Sequence, residues 1–206
     1  MTAPEQVTIH WKDNQDKPYK QLEYLRTELE KSGQSLAVLM NAGIYEPGET
    51  PTGLHIQQYE TLNPLNTNSG DGNFYTKPNG VFGITKDQKA FIIETSEFEN
   101  NDSDIRLATQ SGPLLIQKSQ LTAIAKKATE SEFSRNGVGV KADGRIIFIY
   151  SSNEISLNDF ANMFLKAGAV DALYLDGAIS KATTPEPGKK IQDHTDFAAI
   201  LAVTEP

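Results

Sequence analysis

The stretch Ala172-Leu173-Tyr174-Leu175-Asp176-Gly177-Ala178-Ile179-Ser180 decides how this chain is read. Four apolar or aromatic residues in succession are the pattern of a strand covered on both faces, and the run stops at an acid followed by glycine. A carboxylate at the end of a buried strand is held rigidly while its oxygens reach the sheet edge. Gly177 permits a sharp turn and leaves space beside the acid. The same residues also describe a strand closing in an Asx-turn, because Asp-Gly is a common turn pair.

Immediately upstream, Ser156 stands as a helix N-cap with Asp159 three residues on. Leu157, Phe160, Ala161, Phe164 and Leu165 then form one apolar stripe that ends before Gly168. This helix feeds directly into the Asp176 strand. Residues 138–141 and 145–150 read as a hairpin joined by Ala142-Asp143-Gly144, and residues 81–85 and 89–94 as another. Residues 197–203 close the chain as a strand, and residues 123–128 show helical tendency. Near the start, Val7-Thr8-Ile9-His10-Trp11 suggests an edge strand. A helix with Pro18 in its first turn and Leu22, Leu25 and Leu29 at helical spacing ends at Gly33. Ser35-Leu36-Ala37-Val38-Leu39-Met40 is a buried strand running into Asn41-Ala42-Gly43. Further strands are expected at residues 53–56, 106–110 and 114–116, within the Gly-, Pro- and Asn-rich segment 46–79 for the first of them. Residues 97–104 read as a charged loop. About ten strands and two clear helices, with strand pairs joined by tight turns, predict an α+β fold: a mainly antiparallel mixed sheet packed by two or three helices. Composition does not change along the chain, so residues 1–206 are read as one domain.

With 19 basic and 27 acidic residues the net charge is −8, and basic residues cluster no further than pairs such as Lys126-Lys127, which argues against a nucleic-acid surface. Apolar runs fall well short of the roughly 20 residues a membrane span needs. There is no cysteine, which removes disulfides, thiolate metal sites and a thiol nucleophile. The three histidines are scattered, no P-loop or dinucleotide fingerprint occurs, and neither a metal nor a cofactor is expected. The first residues lack the basic and apolar parts of a signal peptide, so the chain reads as cytoplasmic or as one from which a leader has been removed.

Four polar, glycine-bearing turns are expected at strand ends: Asn41-Ala42-Gly43, Gln110-Ser111-Gly112-Pro113, Arg135-Asn136-Gly137 and Asp176-Gly177. Brought together, their amides, hydroxyl, guanidinium and carboxylate make a site for an oxygen-rich, negatively charged ligand. Arg135 would supply a two-pronged contact to phosphate, and the backbone beside Gly112 and Gly137 an anion nest. The alternative is four unrelated turns, since glycine and asparagine gather in turns for conformational reasons alone.

In order and spacing, Asn41-Ala42-Gly43-Ile44-Tyr45, Pro64-Leu65-Asn66, Gly72-Asn73-Phe74 with Lys77-Pro78-Asn79-Gly80-Val81-Phe82, Thr109-Gln110-Ser111-Gly112-Pro113-Leu114, Arg135-Asn136-Gly137-Val138-Gly139-Val140 and Tyr174-Leu175-Asp176-Gly177 resemble the phosphodiester glycosidase family. This is the family of the uncovering enzyme that removes N-acetylglucosamine from phosphate-linked mannose. The resemblance implies hydrolysis of a sugar 1-phosphodiester at the anomeric carbon, on a small-molecule or glycan substrate carrying a sugar-phosphate. It assigns catalysis to Asp176 and Arg135, and substrate binding to Asn41, Gly43, Lys77, Ser111, Gly112, Asn136 and Gly177. It also implies export to the cell envelope or beyond where a leader has been removed. Two features depart from the family pattern: Ala178 stands where a second glycine is usual, and family members commonly carry further N-terminal sequence. Glu46 is the nearest candidate for a second carboxylate, although its position suggests an exposed loop. Ala178 favours a competing reading, a non-catalytic module that binds sugar-phosphate or glycan without turnover.

Overall fold

In the computed structural model of the protein, which describes residues 1–98, 104–177, 179–186 and 188–205, the first half of the chain contributes β1 (Val7–His10), α1 (Leu22–Lys31), β2 (Leu36–Ala42), β3 (Tyr45–Glu46), β4 (Thr50–Pro51), β5 (His55–Gln57), β6 (Glu60–Asn63), β7 (Gly80–Thr85) and β8 (Ala90–Glu94). The second half adds β9 (Ile105–Ser111), β10 (Leu114–Gln117), β11 (Gln120–Leu121), α2 (Ala123–Lys127), β12 (Glu132–Lys141) and β13 (Ile146–Ser156). It closes with α3 (Leu157–Lys166), β14 (Ala169–Asp176), β15 (Ala182–Thr183) and β16 (Ala199–Thr204). Residues 99–103, most of the charged loop expected at 97–104, lie outside the described residues, as does Ala178.

The architecture is α+β with antiparallel pairing between the described strands, distributed over several sheets rather than one. Their orders are β1-β16-β2-β15, β11-β10-β14-β12-β13, β6-β5-β9-β7-β8 and the small pair β3-β4. One apolar core draws on all three larger sheets: Ile9, Met40 and Leu201 from the first, Val138, Leu173 and Leu175 from the second, Phe82, Ile84 and Leu107 from the third. Strand β14 is covered on both faces, as its unbroken apolar run predicts. Leu173 and Leu175 enter this shared core, whereas Ala172 and Tyr174 pack beneath α3 with Phe160 and Phe164. Likewise β16 sends Leu201 inward and Ile200 and Ala202 to α1, against Leu22, Leu25 and Leu29.

Local chemistry sets the helix ends. The Ser156 hydroxyl accepts from the Asp159 N–H at 3.0 Å, closing the first turn of α3. Helix α1 stops at Gly33, whose φ of +85° lets its N–H reach the Glu30 carbonyl while Gln34 N–H reaches Leu29. Pro18, however, stands ahead of α1 in an isolated pairing with Lys12 and not in its first turn. The Arg135-Asn136-Gly137 segment also differs from expectation. It is the interior of the long strand β12, where hydrogen bonding to β13 across the register overrides the turn preference of Asn and Gly.

Candidate active site

The end of β14 lies beside β12, with Asp176 directly opposite Asn136. Strand β2 reaches the same rim from the first sheet, and Asn41 bridges the two sheets. Its Nδ2 donates to Asp176 Oδ2 at 2.6 Å, while Asn136 Nδ2 donates to both the Asn41 carbonyl and Asn41 Oδ1 at 2.8 Å. The Lys181 N–H also donates to Asn41 Oδ1, at 2.8 Å. Two donors on Oδ1 leave the Asn41 amide only one orientation, with its NH2 facing the carboxylate. The other carboxylate oxygen, Oδ1, accepts the Gly177 N–H at 2.6 Å.

Asp176 is only 8% exposed, and burial raises its carboxyl from the ordinary 3.8 to about 6, against the lowering effect of the Gly177 N–H and the Asn41 amide. Asn136 is fully buried, and its Oδ1 has no hydrogen-bond partner among the described residues. The Tyr45 hydroxyl, which donates to the Asp196 carbonyl at 2.7 Å, is pushed up to about 12 by burial and then by the Asp176 charge, so it shares this surrounding.

Sequence alternation separates Arg135 from its neighbour Asn136. Val138, on the Asn136 face of β12, lies in the shared core, whereas a methyl group at Gly137, on the Arg135 face, would press on Phe160 and Phe164. Arg135 is accordingly buried on the α3 side. Its Nε donates to the Ile155 carbonyl at 2.8 Å, one terminal nitrogen to the Tyr174 hydroxyl at 3.0 Å, and the other to the Ser131 carbonyl at 2.7 Å. The guanidinium also lies 5.5 Å from the ring centroids of both Phe133 and Tyr174. The exposed two-pronged fork expected from the sequence is thus absent: each guanidinium nitrogen already has a protein acceptor.

The remaining expected residues take different places. Gly177 packs so closely on Tyr174 that a methyl group there would overlap the phenol oxygen. Ser111 is buried and donates to the Leu175 carbonyl at 3.0 Å, bracing β14 one residue before the acid. Gly112 is pressed against Asn79 and the Phe74 carbonyl, and Gly43 against the Thr109 hydroxyl. Lys77 is exposed and lines a cavity of about 180 Å³ with Asn66, Asn79, Glu94, Thr95 and Ser96. Asn41, Asn136, Asp176 and Gly177 therefore form one hydrogen-bonded cluster. Arg135 reaches it through Tyr174, and Lys77 lines a cavity to which none of these four residues contributes. Glu46 is exposed, as its loop position suggested. Tyr174 and the Lys181 N–H are contributors that the glycine-turn pattern did not single out, although Tyr174 stands two residues before the acid.

Larger clefts, such as one of about 360 Å³ beside Arg26 and Glu205, are lined by residues outside this cluster. Among the described residues there is no group of three or more His, Asp or Glu side chains arranged to hold a metal, and no helix is long and apolar enough to cross a membrane.

The antiparallel α+β frame is shared with the phosphodiester glycosidase family. That family's sequence pattern matches residues 34–198, and the chain belongs to it. Membership places the protein among hydrolases. The Escherichia coli (strain K12) uncharacterized protein YigE is 33% identical over 178 residues, a match covering 85% of this chain and 68% of that one. Among solved structures, the zebrafish N-acetylglucosamine-1-phosphodiester alpha-N-acetylglucosaminidase catalytic domain, auto-inhibited by its pro-peptide, aligns over 98% of this chain and 74% of its own with a TM-score of 0.65 and 15% identity. A hypothetical protein from Synechocystis aligns over 99% of this chain and 58% of its own, with a TM-score of 0.54 and 14% identity.

Proposed function

We propose that this protein hydrolyses sugar 1-phosphodiesters at the anomeric carbon, releasing the sugar and a phosphomonoester. The observation that carries this reading is the Asp176 carboxylate, held between Asn41 and Gly177 at the end of a rigid strand. Each oxygen accepts one short hydrogen bond and keeps further lone-pair capacity for a substrate. With a carboxyl group near 6, Asp176 is ionised at neutral pH, the form required of either a nucleophile or a base acting on water at the anomeric centre. In the reaction the bond from the anomeric carbon to the phosphate oxygen breaks, the phosphate keeps the electron pair, and water supplies the new hydroxyl. A phosphate departs without strong acid assistance, which suits a cluster in which Asp176 is the carboxylate joined to the amides.

In this reading the fully buried Asn136 and Asn41 set the position and orientation of the carboxylate. Lys77 supplies exposed positive charge for the phosphodiester, in a cavity that Asn66, Thr67, Asn68 and the Glu94 carboxylate also line. Arg135 serves by positioning Tyr174 and Gly177 beneath the reacting group.

The test uses N-acetylglucosamine 1-(4-nitrophenyl phosphate), chosen because the zebrafish relative acts on an N-acetylglucosamine 1-phosphodiester. Reducing sugar release and thermal stabilisation by the compound are measured for the native protein and for Asp176→Asn. The expected result is turnover by the native protein, and in the variant a loss of roughly 10²–10⁴-fold with stabilisation retained. Native turnover in Asp176→Asn would remove the acid from the mechanism. Stabilisation of both proteins without turnover by either, across a panel of sugars, would establish a binding module in place of an enzyme.

A further inference from the structure

Five residues past the candidate acid, at Lys181, the chain returns to it. The Ser180 N–H donates to the Gly177 carbonyl at 2.7 Å, which folds the segment after β14 back on itself and delivers Lys181 to Asn41. The two then pair as in a ladder: the Asn41 N–H donates to the Lys181 carbonyl at 3.2 Å, and the Lys181 N–H to Asn41 Oδ1 at 2.8 Å. This extends by one the register of β15 on β2, in which Ala182 lies opposite Met40 and Thr183 opposite Leu39. Residues opposed across an antiparallel pair share a face, and Ala182 packs on the shared core with Met40, so Lys181 takes the other face together with Asn41. The Asn41 side chain holds Asp176 Oδ2 at 2.6 Å. A single amide group therefore separates the Lys181 backbone from the acid.

The rim around this amide is rich in negative charge. Beyond burial, the charges of Asp176, Glu49 and Asp196 each raise the Tyr45 hydroxyl, so all three carboxylates act on one small region. A phosphodiester anion brought to Asp176 meets repulsion there unless a cation answers it. The other cations are committed or lie apart. Each Arg135 nitrogen has a protein acceptor, Lys20 is paired with Glu49 at 2.6 Å and lies 3.7 Å from Asp196, and Lys77 lines a cavity to which the Asp176 cluster does not contribute. Lys181 is exposed and forms no ion pair among the described residues.

We infer that Lys181 is a substrate-binding residue whose ammonium engages the phosphate of a substrate bound at Asp176. This rests on the proposed hydrolysis of sugar 1-phosphodiesters. The Lys181 backbone is fixed at both its N–H and its carbonyl, so only the four-carbon stem is left to order when the ammonium meets the anion. The same charge stabilises the phosphate as the bond from the anomeric carbon breaks and the electron pair stays on its oxygen.

The experiment measures melting temperature and kcat/KM for N-acetylglucosamine 1-(4-nitrophenyl phosphate) in the native protein, Lys181→Gln, Lys181→Arg and Lys190→Gln. Lys190 is an exposed lysine on the same connection to β16 and controls for overall charge. The expected result is a fall of roughly 10- to 100-fold in Lys181→Gln, the loss of one charge-assisted hydrogen bond, with most of the activity kept by arginine. Lys190→Gln is expected to change kcat/KM by less than about fivefold, the scale of an exposed charge without a fixed partner. Melting temperatures are expected to stay native. Inhibition by free N-acetylglucosamine, which carries no phosphate, is expected to be the same in all four proteins. A loss in Lys181→Gln no larger than in Lys190→Gln would overturn the proposal and leave the hydrolytic reading intact. So would a loss shared by N-acetylglucosamine inhibition or accompanied by a fall in melting temperature, since either marks a residue that shapes the site without meeting the phosphate. If the native protein binds the compound but does not cleave it, dissociation constants take the place of kcat/KM: weakening confined to Lys181→Gln supports the contact, and equal values overturn it. A native protein that neither binds nor cleaves the compound would overturn the proposal together with the hydrolytic reading.

Discussion

Asp176 carries the clearest electrostatic tension in the molecule. Two short hydrogen bonds favour its ionised form and burial opposes it, and burial is the larger effect, since the carboxyl lies at about 6 instead of 3.8. The folded protein therefore holds this proton more tightly than the unfolded chain does. Its favourable contribution is complete below about pH 4 and is lost as pH rises through about 6, amounting to about 3 kcal/mol. Asparagine does not titrate. The stability of Asp176→Asn relative to the native protein is thus expected to shift in the variant's favour by about 3 kcal/mol between pH 4 and pH 7.5, read from urea unfolding at a series of pH values. A difference independent of pH would show that the acid titrates normally. Turnover by the native protein is expected to rise with pH through the same interval, because the reaction uses the carboxylate.

At the scale of elements, Arg135 acts as a clasp. Its three hydrogen bonds tie the segment before β12 to β13 and to β14, and its guanidinium lies 5.5 Å from the ring centroids of Phe133 and Tyr174. Lysine would keep the charge but offers a compact ammonium in place of a planar fork, leaving buried carbonyls and the Tyr174 hydroxyl with fewer donors. Arg135→Lys is expected to lower stability by about 2–4 kcal/mol, measured by denaturant unfolding. Native stability together with impaired phosphodiester binding would instead return Arg135 to the ligand-contacting role its sequence position suggested. The residue's place could not be read from Arg135-Asn136-Gly137 alone. Polar residues and glycine signal a turn, and only the partner strands β13 and β14 convert that signal into strand interior.

Across the whole molecule, the segment 46–79 is held by Gln110 on β9. The Gln110 side chain accepts from the N–H groups of Leu54 and Asn66 at 3.0 and 2.9 Å, and donates to the Asn66 carbonyl at 2.7 Å and to Thr95. Asn66 continues the chain of contacts to the Thr52 carbonyl at 2.8 Å, and Asn79 to the Phe74 carbonyl at 3.0 Å. A long segment poor in regular structure thereby becomes a fixed wall beside the Lys77 cavity. Gln110→Leu removes the amide and strands buried partners, so a loss of about 2–4 kcal/mol is expected. Amide hydrogen exchange is expected to quicken across residues 52–66 while β12 and β14 keep their protection. Uniform exchange throughout the chain would mean that Gln110 supports the global core and not this segment.

The amino-acid sequence specifies those elements whose signals are local. The α3 stripe with its Ser156 cap, the Gly33 stop of α1, the hairpins β7-β8 and β12-β13, and the doubly buried run of β14 each follow from side-chain period, cap chemistry or turn residues within a few positions of one another. It also marked Asn41 and Asp176, because short polar residues at the ends of apolar runs are exceptions to the pattern around them, and Asn136 and Gly177 through turn signals, of which the one at Asn136 proved to be strand interior. Tertiary structure decided which exceptions meet. Asn41 and Asp176 are 135 residues apart, and they touch because β2 and β14 belong to different sheets that share one core. It decided, too, that Arg135 turns toward α3 while Asn136 turns toward Asn41. Strand alternation permits either assignment, and the choice is made by Phe160, Phe164 and Tyr174 packing on one face of β12 and the shared core filling the other.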